Sequence, residues 1–104
     1  MADEFVPPED ANLTSRKGIL ALVVGAAKVQ LPDLDTETVT LETLLKGEEG
    51  LDLDSLDAVE LIMKVEEGCA ALGNEVEIPD KVAEDFVTVG DVVGFIADQI
   101  GLAT

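Results

Sequence analysis

A chain of 104 residues has room for one domain with a modest core, and 47% hydrophobic residues suffice to fold it. Its 23 acidic residues against six basic ones give a formal charge of −17, which repels nucleic acid and anionic membranes and suits a partner with a basic face. Histidine is absent, so neither a Ser-His-Asp nor a Cys-His arrangement can be built, and the usual neutral-pH base is missing.

Residues 1–13, with Pro7-Pro8 and scattered acids, read as a flexible N-terminal tail ahead of a single domain over 14–104. The apolar run 19–27 is too short to span a bilayer. Asp3, Glu4, Glu9 and Asp10 make its flank acidic, the wrong sign for a signal peptide. The expected compartment is therefore the cytoplasm, and no membrane association is expected. Residues 15–29 read as a helix with Leu20, Val23, Val24 and Ala27 on one face. Gly18 and Gly25 inside it each cost about 1 kcal/mol against Ala, so packing must hold it.

Residues 30–54 form a long connection punctuated by Pro32, Gly47 and Gly50, in which Thr40 is expected to cap a short helical turn carrying Leu41, Leu44 and Leu45. The clearest helix runs over 55–72. Ala58, Ile62, Val65, Cys69 and Leu72 make an inward stripe, and Asp57, Glu60, Lys64 and Glu67 an outward one. Gly73-Asn74 supplies its stop signal. Pro79-Asp80 opens a short helix to about residue 86. Thr88 then caps a last one, with Asp91 three residues on as a shortened capping box and Val92, Phe95, Ile96 and Ile100 facing inward. Aromatics are only 3%, and a core of Leu, Val, Ile and Ala suits packed helices. The expected fold is an all-α four-helix bundle with a short third helix and a long first loop.

Metal binding is not expected. A calcium loop needs Gly at position six and Glu at position twelve; counting from Asp52 gives Asp57 and Met63, and from Asp33 gives Thr38 and Leu44. Cys69 is the sole cysteine, so no internal disulfide can form, and it reads as a small apolar residue on a helix. What remains is Leu53-Asp54-Ser55-Leu56-Asp57, where a loop meets the strongest helix. Ser55 there lies among first-turn N–H groups that lack intrahelical partners and favour an anion, so a phosphate ester on its hydroxyl would be well placed. On spacing alone, Asp54 or Ser55 serves equally as a plain helix cap.

The stretch from Leu51 to Leu61, its continuation through Ile62-Met63 and Glu66-Glu67, and the later Glu77-Ile78-Pro79-Asp80 and Thr88-Val89 together resemble the acyl carrier protein family. The likeness runs over about 14–100 and is most specific over 51–67. The resemblance implies a four-helix fold with a 4'-phosphopantetheine group, taken from coenzyme A, joined to Ser55 through a phosphodiester. Acyl chains would ride on its terminal thiol as thioesters. Ser55 would then be a substrate of a separate phosphopantetheinyl transferase, and the chain itself not an enzyme. It further implies docking of Asp54, Asp57, Glu60 and Glu67 on basic patches of acyl-transfer and synthase enzymes, in fatty-acid or specialised lipid or polyketide biosynthesis. Leu61, Ile62, Val65, Ile78, Phe86 and Val92 would shelter the acyl chain, plain core packing being the alternative. Asp52 stands where the family usually has Gly, and 68–75 contains extra residues. A monomer is expected. An aminoacyl or peptidyl carrier of the same fold, or an unmodified acidic adaptor, remain the other readings.

Overall fold

Helices form where the local end signals are strongest. The computed structural model describes residues 6–102, in which helices α1 (Arg16–Gln30), α2 (Ser55–Ala71), α3 (Asp80–Glu84) and α4 (Val89–Gln99) follow in order, with a 3-10 turn at Thr36–Thr38. This is the all-α bundle expected. Side-chain caps begin the three long helices. Ser15 Oγ accepts from the Gly18 N–H, and Asp54 and Thr88 each make a reciprocal capping box with the Asp three residues on. Glycine ends two of them. Gly73 and Gly101 take positive φ, 94° and 73°, so that the next residue's N–H reaches back: Asn74 to Cys69 O at 3.0 Å, Leu102 to Ala97 O at 2.9 Å.

One core joins all elements. Ile19, Leu22, Val23 and Ala26 of α1, Leu61, Val65 and Cys69 of α2, and Val89, Val92, Val93 and Ile96 of α4 are fully buried. Each large aliphatic side chain placed there contributes roughly 1.5–3 kcal/mol relative to exposure.

Several sequence expectations are corrected. The buried face of α1 is Gly18, Ile19, Leu22, Val23, Ala26 and Ala27, while Leu20 and Val24 are only half-buried. Leu72 caps α2 from an exposed position instead of continuing its inward stripe. In α4, Val89, Val93 and Ala97 are buried, and Phe95 and Ile100 pack at the margin. Helix α3 stops at Glu84, two residues before Phe86. Thr40 starts no helix. Its Oγ1 accepts from Glu42 N–H and its carbonyl from Thr43 N–H at 3.1 Å, a single turn that does not continue as helix. The chain then passes beside residues 87–90, where Leu44 bridges Thr88 antiparallel. Backbone pairing across the molecule wins over a marginal helical turn.

Of the segment read as a tail, residues 1–5 lie outside the described ones. Ala11 is 6% exposed against the core, and the Asn12 N–H donates to Gly18 O at 3.3 Å. Added carbon at Gly18 would collide with the Asn12 side chain, so that glycine allows the close approach.

Candidate functional site

The loop into α2 alternates: Leu51 and Leu53 are buried, Asp52 and Asp54 exposed. The alternation is held by backbone hydrogen bonds to the segment 44–45. Leu51 N–H donates to Leu44 O at 2.8 Å, Leu53 N–H to Leu45 O at 3.0 Å, and Leu45 N–H to Val87 O at 2.9 Å. Val89 N–H donates to Thr43 O at 2.9 Å and Gly90 N–H to Leu41 O at 2.7 Å, so the loop is fastened to the start of α4. Asp52 takes φ 56°, the left-handed conformation natural to Gly and tolerated by Asp.

This shelf ends at Ser55, the first residue of α2. Asp54 is the cap: its Oδ1 accepts from Asp57 N–H at 2.8 Å, and Asp57 Oδ2 accepts from Asp54 N–H at 3.4 Å. From the end of α1, Gln30 Nε2 donates to Asp57 O at 2.7 Å, tying the two helices together at this turn. Ser55 is exposed, and its hydroxyl makes no hydrogen bond to a described residue. The N–H groups of Ser55 and Leu56 also lack partners, as the first turn of a helix requires. The turn thus presents a free hydroxyl beside two free donors.

A cleft of about 230 Å³ opens beside this hydroxyl, lined by Lys46, Ser55, Ala58, Val59, Asp80, Ala83 and Glu84. None of the six residues expected to shelter an acyl chain lines it. Leu61, Ile62, Val65, Ile78 and Val92 are buried in the core. Phe86 packs against that core, edge-on to Phe95 with ring centroids 5.9 Å apart. A larger groove of about 490 Å³ lies along the outer face of α1 and does not include Ser55.

Of the expected docking acids, Asp54, Glu60 and Glu67 are exposed, and Asp57 is half-buried through its capping role. Sequence reasoning missed their apolar neighbours. Leu56, Val59 and Met63 are 66%, 40% and 54% exposed. Their spacing of three and four puts them on one stripe of α2, a signal that was available but read only for the buried face. Glu66, between the two faces, accepts the Ile78 N–H at 2.7 Å and ties the segment before α3 to α2.

Among the described residues, Cys69 and Asp91 depart clearly from their ordinary titration. Burial, and secondarily Glu66, pushes the Cys69 thiol up to about 11, which keeps it protonated and inert at neutral pH. Backbone N–H groups of Val87 and then Thr88 hold the Asp91 carboxyl below its ordinary value, a capping effect. Among the described residues, no group of three or more metal-ligating side chains is placed to hold an ion. No helix among them is long and apolar enough to cross a membrane.

The chain is 42% identical over 69 residues to an acyl carrier protein of Picosynechococcus sp., a match covering 66% of this chain and 76% of the relative. An acyl carrier protein of Clostridium perfringens is 45% identical over 66 residues, 64% of this chain and 78% of its own. A Schizosaccharomyces pombe protein named as a mitochondrial acyl carrier protein is 38% identical over 86 residues, covering 83% of this chain and 67% of that one. No protein-family model matches. The helical bundle and these relatives together define a carrier of acyl groups. The chain belongs to the acyl carrier protein family.

Proposed function

We propose that this chain holds acyl intermediates as thioesters on a 4'-phosphopantetheine arm joined through a phosphodiester to Ser55 Oγ, and presents them to fatty-acid or specialised lipid or polyketide enzymes. When bound, the arm supplies a thiol at the end of a long tether. Everything else falls to the chain's own residues. The observation that carries the reading is the exposed, unbonded hydroxyl of Ser55 on the first turn of α2, in the stretch that resembles the family's modification site.

The residues present fit a phosphate ester. The Ser55 and Leu56 N–H groups and the positive end of the α2 dipole favour an anion at that oxygen. With no histidine in the chain, the base that takes the Ser55 proton belongs to a separate phosphopantetheinyl transferase, and coenzyme A is the donor. Ser55 is modified and is not itself a catalyst.

Docking follows from the surface of α2. Asp54, Asp57, Glu60 and Glu67 would meet basic patches on partner enzymes and speed encounter, while Leu56, Val59 and Met63 supply the apolar contact that slows release. Asp57→Lys would also break the capping box, so Glu60→Lys is the cleaner probe. It should slow partner transfer at low salt and leave the melt within about 0.5 kcal/mol. Unchanged rates would remove the docking role.

Leu61, Ile62, Val65, Ile78, Phe86 and Val92 would shelter the acyl chain; they are packed in or against the core, so admitting a chain among them needs side-chain displacement. The protein works as a monomer in this reading. Its compartment is the cytoplasm, with an organelle the alternative suggested by the Schizosaccharomyces pombe relative's name. Intact-mass measurement after incubation with coenzyme A and a broad-specificity transferase tests the central claim. One phosphopantetheinyl adduct is expected on the native chain and none on Ser55→Ala. A native chain that never gains the adduct, or a Ser55→Ala chain that does, refutes it.

A further inference from the structure

The cleft beside Ser55 contains one cation among carboxylates. Lys46 lines it together with Asp80 and Glu84, and Asp54 and Asp57 stand at the adjoining turn. No carboxylate of the described residues lies in ion-pairing distance of Lys46, although 23 acids are available in the chain. Lys46 is also fixed in the sequence by structure. It follows Leu45, which is buried and bonded through its N–H to Val87 O at 2.9 Å, and precedes Gly47 at φ 90°, where the chain turns. The base of this side chain is therefore anchored, and its position at the cleft is built into the fold.

We infer that Lys46 is the counter-charge for the phosphodiester carried on Ser55, holding the first atoms of the arm against the cleft between α2 and α3. The inference rests on the reading of Ser55 given above. Electrostatics supply the reason. A phosphate monoanion at Ser55 Oγ gains two backbone donors and the helix dipole, but it stands amid Asp54, Asp57, Asp80 and Glu84. The helix end contributes only about 0.3–1 kcal/mol to an exposed anion, and each neighbouring carboxylate opposes it. Lys46, the cation lining the cleft, offsets part of this repulsion, and it gains an anionic partner there only when the phosphate is present.

The test compares apo and arm-loaded protein for the native chain, Lys46→Gln, Lys46→Arg and, as a control, Lys81→Gln, a lysine of α3 that does not line the cleft. Intact mass first establishes that each chain is loaded. Lys46→Gln is expected to lower the melting temperature of the loaded form by roughly 3–5 °C more than that of the apo form at low salt. It should also shift the phosphodiester phosphorus resonance. Lys46→Arg should retain most of the native difference, Lys81→Gln should leave it unchanged, and high salt should erase it. Equal shifts in apo and loaded forms, with an unmoved phosphorus resonance, would mean that Lys46 serves only the cleft's own carboxylates, and the inference falls. Failure of the native chain to load at all overturns the reading of Ser55 and this inference with it, by a separate measurement.

Discussion

Two helices of this protein begin with the same device and put it to opposite uses. Helix α2 starts with Asp54 and Asp57 in a reciprocal capping box, and α4 with Thr88 and Asp91 in another. At the first helical position, α2 has exposed Ser55 and α4 has buried Val89; at the second, α2 has Leu56, 66% exposed, and α4 has Gly90 pressed against a carbonyl. One start faces outward with free donors and a free hydroxyl, while the other is fastened to the loop 41–45. Capping chemistry is thus indifferent to function. What surrounds the cap decides whether its spare donors serve the fold or an incoming group.

The comparison breaks most readily at Gly90. A Cβ there would meet Leu41 O at 2.7 Å, and that oxygen is backbone. Gly90→Ala gains about 1 kcal/mol in helix propensity but should still lose a net 1–2 kcal/mol to the clash. Leu56→Ala, at the matching position of α2, should stay within about 0.5 kcal/mol of native, because its side chain is already in water. Urea unfolding of the two variants checks both, and an equal effect would dissolve the distinction.

If the boxes are locally equivalent, Asp54→Ala and Thr88→Ala should each cost about 1 kcal/mol and agree within half that. A much larger loss at Thr88 would show that its box also supports the fastened loop. Acid separates the two ends further. Asp91 has its folded pKa lowered, so its stabilising effect is complete above the ordinary carboxylate value, near about 4, and is lost as pH falls through the folded value below it. Unfolding followed from about pH 5 to pH 2.5 should therefore fall less steeply for Asp91→Asn than for the native chain. Parallel slopes would contradict the assignment.

The smallest effect is expected at Asp52. Replacing it with Gly relieves a left-handed backbone costing about 1 kcal/mol but raises the entropy of the unfolded chain by a similar amount. A net gain of only a few tenths of a kcal/mol is expected. Asp52→Val, which cannot adopt this conformation cheaply, should lose more than about 1 kcal/mol. A stable Asp52→Val chain would mean that the shelf before Ser55 is less firmly fixed than its hydrogen bonds indicate.

The parts legible in the sequence are those with local causes. The capping box at Thr88 and Asp91, the glycine stop at Gly73 and the start of α3 at Pro79-Asp80 are set by residues within four of one another and lie where the sequence places them. At α2 the sequence leaves Asp54 and Ser55 as alternative caps, and the structure selects Asp54, with Asp57 completing a second box. Segments governed by distant partners were misread. Leu41, Leu44 and Leu45 look helical by spacing, yet their backbone pairs with residues more than 40 positions along, including Thr88 and Val87. Helix α1 carries apolar residues on nearly every side, so Leu20 and Val24 could not be told from Ile19, Leu22 and Ala26 without knowing where α2 and α4 pack. The candidate site was legible at Ser55 through the resemblance of its stretch. Lys46 was not, because only the fold brings the loop 41–53 beside α3.

The burial of Cys69 has a practical consequence. Its sulfur is fully covered and protonated at neutral pH, so disulfide reagents should find nothing to titrate in the folded, unloaded chain. On the reading proposed for Ser55, a reactive sulfhydryl measured on native protein would belong to an arm carrying no acyl group, because a thioester has no free thiol. A bench colorimetric assay would then report the fraction bearing a free arm, and denaturant would reveal the hidden sulfur as an internal standard.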